Sequence, residues 1–131
     1  MKVICKFCEM TDELAKTFGV ETSLRPQYPL TKGKEYVVLS LSQRSIDLAI
    51  GSCSIVDVID DYGRLRPVPA YMFEVADPTP SLYWKAFMEG GYIGFSHPAL
   101  RTEFFADNLS EGVPDVVQKW EVIKAQFLSE T

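Results

Sequence analysis

Hydrophobic and polar positions along the chain predict strands in the first two thirds. The segments MKVICKF, EYVVLSLS, IVDVID and LRPVPAYMFEV are rich in β-branched and aromatic residues, which favours strands. The segment TDELAKTFG opens with a Thr/Asp cap and ends at Gly19, so it predicts one or two helical turns. Pro67 and Pro69 cannot donate to a ladder and predict an edge strand or a bulge.

Helical patterning is expected after residue 77. Ser81 can cap a helix over LYWKAF that ends at Gly90 and Gly91, and YIGF predicts a short strand. The clearest helix begins at Pro114 and runs to about residue 128, with one apolar stripe that should pack on the sheet. The stripe consists of Val116, Val117, Trp120, Ile123 and Phe127.

Composition and length are typical of one globular domain. The chain has 131 residues, of which 47% are hydrophobic and 24% charged, enough to bury one core without disulfides or metals. No repeat, low-complexity tract or long linker divides it. We therefore expect residues 1–131 to form a single α+β domain with a mainly β core.

Targeting and charge patterns indicate where the chain acts and what it binds. Lys6 and Glu9 interrupt the N-terminal apolar run before a signal peptide could form, and no window approaches a membrane span. Three cysteines, an odd number, suit a reducing cytoplasm. The net charge of −5 would repel nucleic acid, so no nucleic-acid or membrane partner is expected and a basic protein is favoured.

The stretch IDDYG contains the two adjacent carboxylates Asp60 and Asp61. A catalytic pair or a metal site needs oxygens that converge, whereas successive strand residues point to opposite faces. An Asp at the start of a turn and a Gly near its end are what a hairpin requires. The pattern therefore favours a turn over a catalytic or metal site.

The cysteines and the single histidine are the other candidates for chemistry. Cys5, Cys8, Cys53 and His97 could in principle form a zinc site, but CKFC continues a strand-like run and has no second CxxC. Buried free cysteines usually behave as small hydrophobic residues. His97 lies in a loop without a nucleophile motif, so we expect no enzyme, metal or cofactor. A metal-dependent hydrolase using Asp60, Asp61 and His97 is the remaining enzymatic alternative.

Candidate recognition residues are acidic and aromatic. If TEFFADNLSEG is helical, Glu103, Asp107 and Glu111 recur every four residues and share one face. That face is either simply solvated or a docking surface for a cationic partner. Tyr62 and Trp84 fall near predicted turns, where exposed aromatic side chains can anchor an interface.

The segments LTKGKEYVVLSL and VIDDYGRLRPVPAYMFEVAD, and more loosely DPTPSLYW and YIGFSHPAL, carry a family resemblance. Over residues 30–112 the chain resembles a family of small bacterial cytoplasmic proteins with a GK-Y-V strand, a DD-G turn and an FEV-D close. The resemblance implies a Src-homology-3-like antiparallel barrel with its core at about residues 30–77, followed by helical and loop segments over 78–112. The connection QRSIDLAIGSCS and the helix at 114–128 lie outside the family pattern.

Many members of this family look like immunity proteins of polymorphic toxin systems. The resemblance therefore implies an inhibitor that neutralises a cognate bacterial toxin by direct binding, and an acidic surface would speed its encounter with a basic toxin domain. The alternative is a structural or regulatory accessory protein of phage or plasmid type that binds a peptide or self-associates. The candidate contacts are Asp60, Asp61, Tyr62, Trp84, Glu103, Asp107 and Glu111.

Overall fold

The computed structural model describes residues 1–19, 25–45 and 52–130. These residues form an α+β fold, as the sequence predicts. The fold contains an antiparallel seven-stranded sheet and three α-helices. The strands are β1 (Lys2–Cys5), β2 (Glu35–Ser45), β3 (Ser52–Ile59), β4 (Leu65–Pro69), β5 (Phe73–Asp77), β6 (Lys85–Glu89) and β7 (Tyr92–Ser96). The centre of the connection QRSIDLAIGSCS, residues 46–51, lies outside the described residues.

The α-helices are α1 (Asp12–Phe18), α2 (Phe105–Ser110) and α3 (Pro114–Ser129), and short 3₁₀ turns span Ala70–Met72 and Pro98–Arg101. Helix α1 has the expected ends, because the Thr11 side chain accepts a hydrogen bond from the Leu14 amide and Gly19 adopts a left-handed conformation. Across the described ranges, no helix combines the length and the hydropathy needed to cross a bilayer.

Strand β2 organises the sheet. One of its edges pairs with β3, and its other edge pairs first with β1 and then with β7. The strand order is β4-β3-β2-β1-β5, and β6 is attached through β7. The pairing with β3 shifts register between Val38 and Ser40, which leaves Leu39 outside the ladder.

The expected barrel is not closed. Within the described part of the chain, β4 pairs with β3 alone and β5 with β1 alone, so the two ends of the five-strand path do not meet. Pro67 and Pro69 both lie in β4, where a free edge tolerates residues without an N–H group. The prediction that these prolines mark an edge strand is confirmed.

Residues 85–96 form a β-hairpin, so the predicted helix over LYWKAF was wrong, whereas the predicted strand at YIGF is confirmed as β7. Gly90 and Gly91 connect the two strands with φ values of 56° and 82°. Two successive residues with positive φ match the twist of a tight hairpin, which glycine allows at little steric cost. The segment 78–112 is therefore not only helices and loops.

Two hydrophobic clusters stabilise the fold. The first packs α1 and the loop before β2 against one side of the sheet and includes Val38, Val58 and Met72. The second lies between the sheet and the C-terminal helices, where Leu39 meets Trp120, Ile123 and Phe127 and other apolar residues. Three residues of the predicted α3 stripe, Trp120, Ile123 and Phe127, are thus buried, and each such side chain contributes about 1.5–3 kcal/mol relative to an exposed one. The other two, Val116 and Val117, are half-buried.

Candidate functional site

Asp60 is a structural residue of the turn between β3 and β4. Its side chain is fully buried, and its carboxylate accepts hydrogen bonds from the backbone amides of Tyr62 and Arg64 at 2.9 and 3.0 Å. The second oxygen accepts from Nε of Arg66 at 3.2 Å. Gly63 completes the turn with a φ of 74°. The prediction of a hairpin turn is confirmed, and a buried carboxylate with three donors does not present itself to a partner.

Asp61, like Asp60, follows the end of β3 at Ile59, so strand alternation does not apply to this pair, and the Asp61 side chain connects the turn to the loop before β2. Its carboxylate accepts hydrogen bonds from the Thr31 hydroxyl at 2.7 Å, the Lys34 ammonium at 3.0 Å and the Tyr36 hydroxyl at 2.7 Å. The Asp61 amide also donates to the carbonyl of Pro29 at 3.0 Å. We refer to Asp61, Thr31, Lys34 and Tyr36 as the Asp61 network.

The Asp61 network changes the pKa of both its acidic members. Burial raises the pKa of Asp61, but hydrogen bonds from Tyr36, Thr31 and Lys34 lower it by a larger amount. The pKa of Asp61 in the folded chain therefore lies below its ordinary value of 3.8. Burial raises the pKa of Tyr36 to about 12, and the neighbouring Asp61 carboxylate adds to that rise. The carboxylate is therefore charged and the phenol neutral at physiological pH, which suits a stable hydrogen-bonded pair.

The two aromatic candidates lie in different environments. Tyr62 is 74% exposed at the tip of the turn, as predicted. Trp84 contradicts the prediction of exposure, because it is half-buried and packs against both hydrophobic clusters. Its indole N–H donates to the carbonyl of Leu39 at 2.9 Å, which provides a partner for a backbone group at the register shift of β2.

The acidic residues of the C-terminal third are exposed but do not share one helix. Helix α2 spans only Phe105–Ser110, so Asp107 lies in it, whereas Glu103 precedes it and Glu111 follows it. Phe104, at the N-terminus of α2, has a φ of 61°, which breaks helical geometry after Glu103. The expected stripe along one helix was therefore wrong, although all three carboxylates remain available to solvent.

Cys5 and His97 have structural surroundings. The Cys5 thiol is buried and donates to the carbonyl of Phe7, and burial raises the pKa of Cys5 to about 11, so it stays protonated. His97 accepts a hydrogen bond from the Ala99 amide at 3.0 Å and lies 3.2 Å from Oε1 of Gln126. In residues 1–19, 25–45 and 52–130, no group of three His, Cys, Asp or Glu residues is placed to hold a metal ion.

The β6–β7 hairpin carries an apolar surface that the sequence reasoning missed. Cross-strand partners share a face, and Met88 pairs with Ile93 while Ala86 pairs with Phe95. Met88 is 83% exposed, Ile93 55% and Phe95 41%, and Ala86 is exposed as well. We call these four residues the apolar hairpin face. Such clusters of exposed apolar side chains often mark interaction sites on soluble proteins.

The opposite face of the hairpin is packed. Phe87 lies over Gly94, its cross-strand partner, and the Arg101 guanidinium lies 3.3 Å from the centre of the Phe87 ring. Arg101 also forms an ion pair with Glu89 at 2.7 Å. These contacts hold the hairpin against the 3₁₀ turn before α2, so the apolar hairpin face projects from a fixed support. Strand β6 also forms a free edge, because within the described ranges it pairs with β7 alone.

Comparison of the chain with protein-family models, with curated proteins and with solved structures gives no match.

Proposed function

We propose that this chain is a non-enzymatic protein-binding module, an immunity-type inhibitor that neutralises a cognate bacterial toxin by direct binding in the cytoplasm. The observation that carries the proposal is the apolar hairpin face. Its side chains are exposed on a hairpin that Phe87 and Arg101 hold in place, and the hairpin ends in a free sheet edge. An exposed apolar patch beside a free strand edge is suited to protein binding.

The family resemblance adds a fold to this proposal, a Src-homology-3-like barrel left open between β4 and β5. Two features support it. The five-strand path runs β4-β3-β2-β1-β5, so that β5 returns to pair with β1. Strand β2 is long enough to contribute to both halves of the sheet, as a strand shared by two sides of a small barrel must.

Charge favours a basic partner. The net charge is −5, and Glu103, Asp107 and Glu111 are exposed around α2. A cationic toxin domain would be attracted at long range by these carboxylates, which raises the association rate more than the final affinity. Exposed Tyr62 remains a candidate contact, whereas the buried carboxylate of Asp60, the networked Asp61 and the packed Trp84 act by shaping the surface.

The test is capture with matched variants. Tagged wild-type chain and a Met88→Asp/Ile93→Asp variant are purified from the native host, and co-purifying proteins are quantified by mass spectrometry. Val122→Asp serves as the control, because Val122 is also an exposed apolar residue but lies on α3. We expect one near-stoichiometric basic partner with the wild type and the control, and its loss with the hairpin variant.

The captured partner must also behave as a toxin. Expression of the partner domain alone should arrest growth, and co-expression of the wild-type chain should restore it, whereas the hairpin variant should not. A partner that is harmless, or one that the folded hairpin variant neutralises as well as the wild type does, would refute the proposed function.

A second candidate, self-association, is favoured by the sequence of β6. Two copies of KAFME could pair antiparallel with the two Phe87 residues opposite each other. Lys85 of each copy would then lie opposite Glu89 of the other, which gives two pairs of opposite charge. Lys85→Glu should then break a dimer, and Lys85→Glu/Glu89→Lys should restore it. Sedimentation velocity measures both results, and a wild-type chain that stays monomeric at high concentration excludes this candidate.

A further inference from the structure

A cleft separate from the apolar hairpin face lies between the sheet and the C-terminal helices. Its volume is about 660 Å³, and it is lined by Ser40 and Ser42 of β2, by Asp57 of β3 and by Trp120 and Lys124 of α3, among other residues. Sites for small organic molecules commonly have volumes of about 300–1,000 Å³. Phe87 lines this cleft, whereas its neighbour Met88 belongs to the opposite hairpin face, so the two surfaces are independent.

The lining of the cleft has more cationic than anionic side chains, although the protein is acidic. Arg64, Arg66 and Arg101, three of the five arginines in the chain, line it together with Lys124. The carboxylates in the lining are those of Asp57 and Glu121. The lining therefore contains four cationic and two anionic side chains, although the net charge of the chain is −5. Guanidinium groups match the geometry of carboxylate and phosphate groups, with which they form paired hydrogen bonds.

The cations of the cleft differ in how far they are neutralised. Arg66 contacts Asp60 and Arg101 contacts Glu89, while Lys124 lies 3.2 Å from Glu121. In the part of the chain that the structure describes, Arg64 has no carboxylate partner, and its guanidinium carbon lies 5.9 Å from the centre of the Tyr62 ring. Arg64 is thus the cation of the lining with most capacity for an added anion.

A second observation points to a ligand. The Ser42 hydroxyl oxygen is buried in the lining of the cleft and has no hydrogen-bond partner in the described residues. Its neighbour on the same strand face, Ser40, differs because its hydroxyl donates to Oδ2 of Asp57. Buried hydroxyl groups are nearly always hydrogen-bonded, so an unpaired one on a residue that lines a cleft indicates a missing polar partner.

We propose that this cleft binds a small organic anion with two or more negative charges, carried by phosphate or carboxylate groups. The Arg64 guanidinium pairs with one anionic group, and Lys124 contributes a second positive charge. The Ser42 hydroxyl donates to an oxygen of the ligand. Phe87 and Trp120 offer apolar walls to the remainder of the molecule.

The experiment is isothermal titration of the full chain at low ionic strength with inorganic pyrophosphate and, separately, with citrate. We expect saturable binding at one site by at least one of the two probes, and the tighter probe identifies phosphate or carboxylate as the preferred group. Arg64→Gln should weaken that binding tenfold or more. Arg25→Gln also removes one arginine but lies outside the cleft, and it should leave the affinity unchanged. No saturable binding, or equal weakening by both variants, overturns the proposal.

Ser42→Ala gives an independent readout. Loss of an unpaired hydroxyl should leave the thermal midpoint of the free chain unchanged or higher, and it should weaken the binding of the preferred probe several-fold. A merely structural serine would show the reverse, a lower midpoint with unchanged affinity, and that result would overturn the assignment of Ser42 to the site.

Discussion

The phenol of Tyr36 donates a 2.7 Å hydrogen bond to Oδ1 of Asp61 and so joins β2 to the turn between β3 and β4. The same phenol oxygen accepts a hydrogen bond from the Thr31 amide at 2.5 Å. One hydroxyl thus serves both the loop before β2 and the turn that faces it. This hydrogen bond gives Asp61, one half of an acidic dipeptide that resembles a catalytic pair, a structural role.

Asp61→Asn should destabilise the fold by about 1–2 kcal/mol, because a neutral amide accepts hydrogen bonds more weakly than a carboxylate. The loss is no larger because solvent screens part of the Asp61 charge. The folded pKa of Asp61 lies below its ordinary value of 3.8, so the contribution of the charge is present above that value and is lost as the pH falls through the folded pKa. Urea denaturation at pH 7 and at pH 2–3 measures the difference. A difference that stays the same at low pH would contradict this account.

Tyr36→Phe should lower stability by about 1 kcal/mol at neutral pH, because the Thr31 amide loses its acceptor and Asp61 loses a donor. The folded pKa of Tyr36 is raised from 10.0 to about 12, so its contribution is complete below pH 10 and is lost as the pH rises through about 12. The wild type should therefore lose more stability than the variant across that range. Thermal unfolding monitored by circular dichroism tests this, and identical alkaline profiles would refute it.

Trp84→Phe should cost about 1–3 kcal/mol, because it leaves the carbonyl of Leu39 without the indole N–H that it accepts from at 2.9 Å. The ring that remains keeps most of the packing against both clusters. Chemical denaturation gives the loss. A variant as stable as the wild type would contradict the structural role of the hydrogen bond from Trp84 to Leu39.

Gly94→Ala should destabilise the hairpin by about 1–3 kcal/mol, because an added Cβ would overlap the Phe87 ring and lie 2.6 Å from the Leu41 carbonyl oxygen. Phe87→Leu in the same chain should recover part of the loss by removing the ring, but not the contact with the backbone. The thermal midpoints of the single and double variants measure this. A Gly94→Ala variant as stable as the wild type would show that β7 leaves room for a side chain between Gly94 and β2.

Local patterns were sufficient for several elements. The apolar stripe after Pro114 predicted α3, and the proline content of LRPVPAYMFEV predicted that β4 lies at an edge. The Asp-Gly content of IDDYG predicted the turn that Asp60 stabilises. In each case the signal resides in residues that are close in sequence, so no long-range contact was needed to interpret it.

The β6–β7 hairpin shows where the sequence reasoning failed. Ser81 and the apolar residues after it predict a helix that stops at Gly90 and Gly91. The same two glycines are also a hairpin signal when they separate two short runs that can form strands, as they do between KAFME and YIGFS. The acidic stripe failed for another reason, because the φ of 61° at Phe104 interrupts the helix, and the spacing of the acidic residues does not predict it. The Asp61 network and the cleft join residues that are far apart in the chain, so sequence alone could not assemble them.

The position of β1 affects how the chain can fold while it is being synthesised. Lys2–Cys5 leave the ribosome before both of their partners, which are Glu35–Val37 of β2 and Phe73–Asp77 of β5. Until Asp77 has left the exit tunnel, one edge of β1 has no strand to pair with, and Val3 and Cys5 belong to an incomplete core. A nascent chain that stops before β5 therefore exposes an aggregation-prone edge, which makes this stage of translation the one at which a chaperone would matter most.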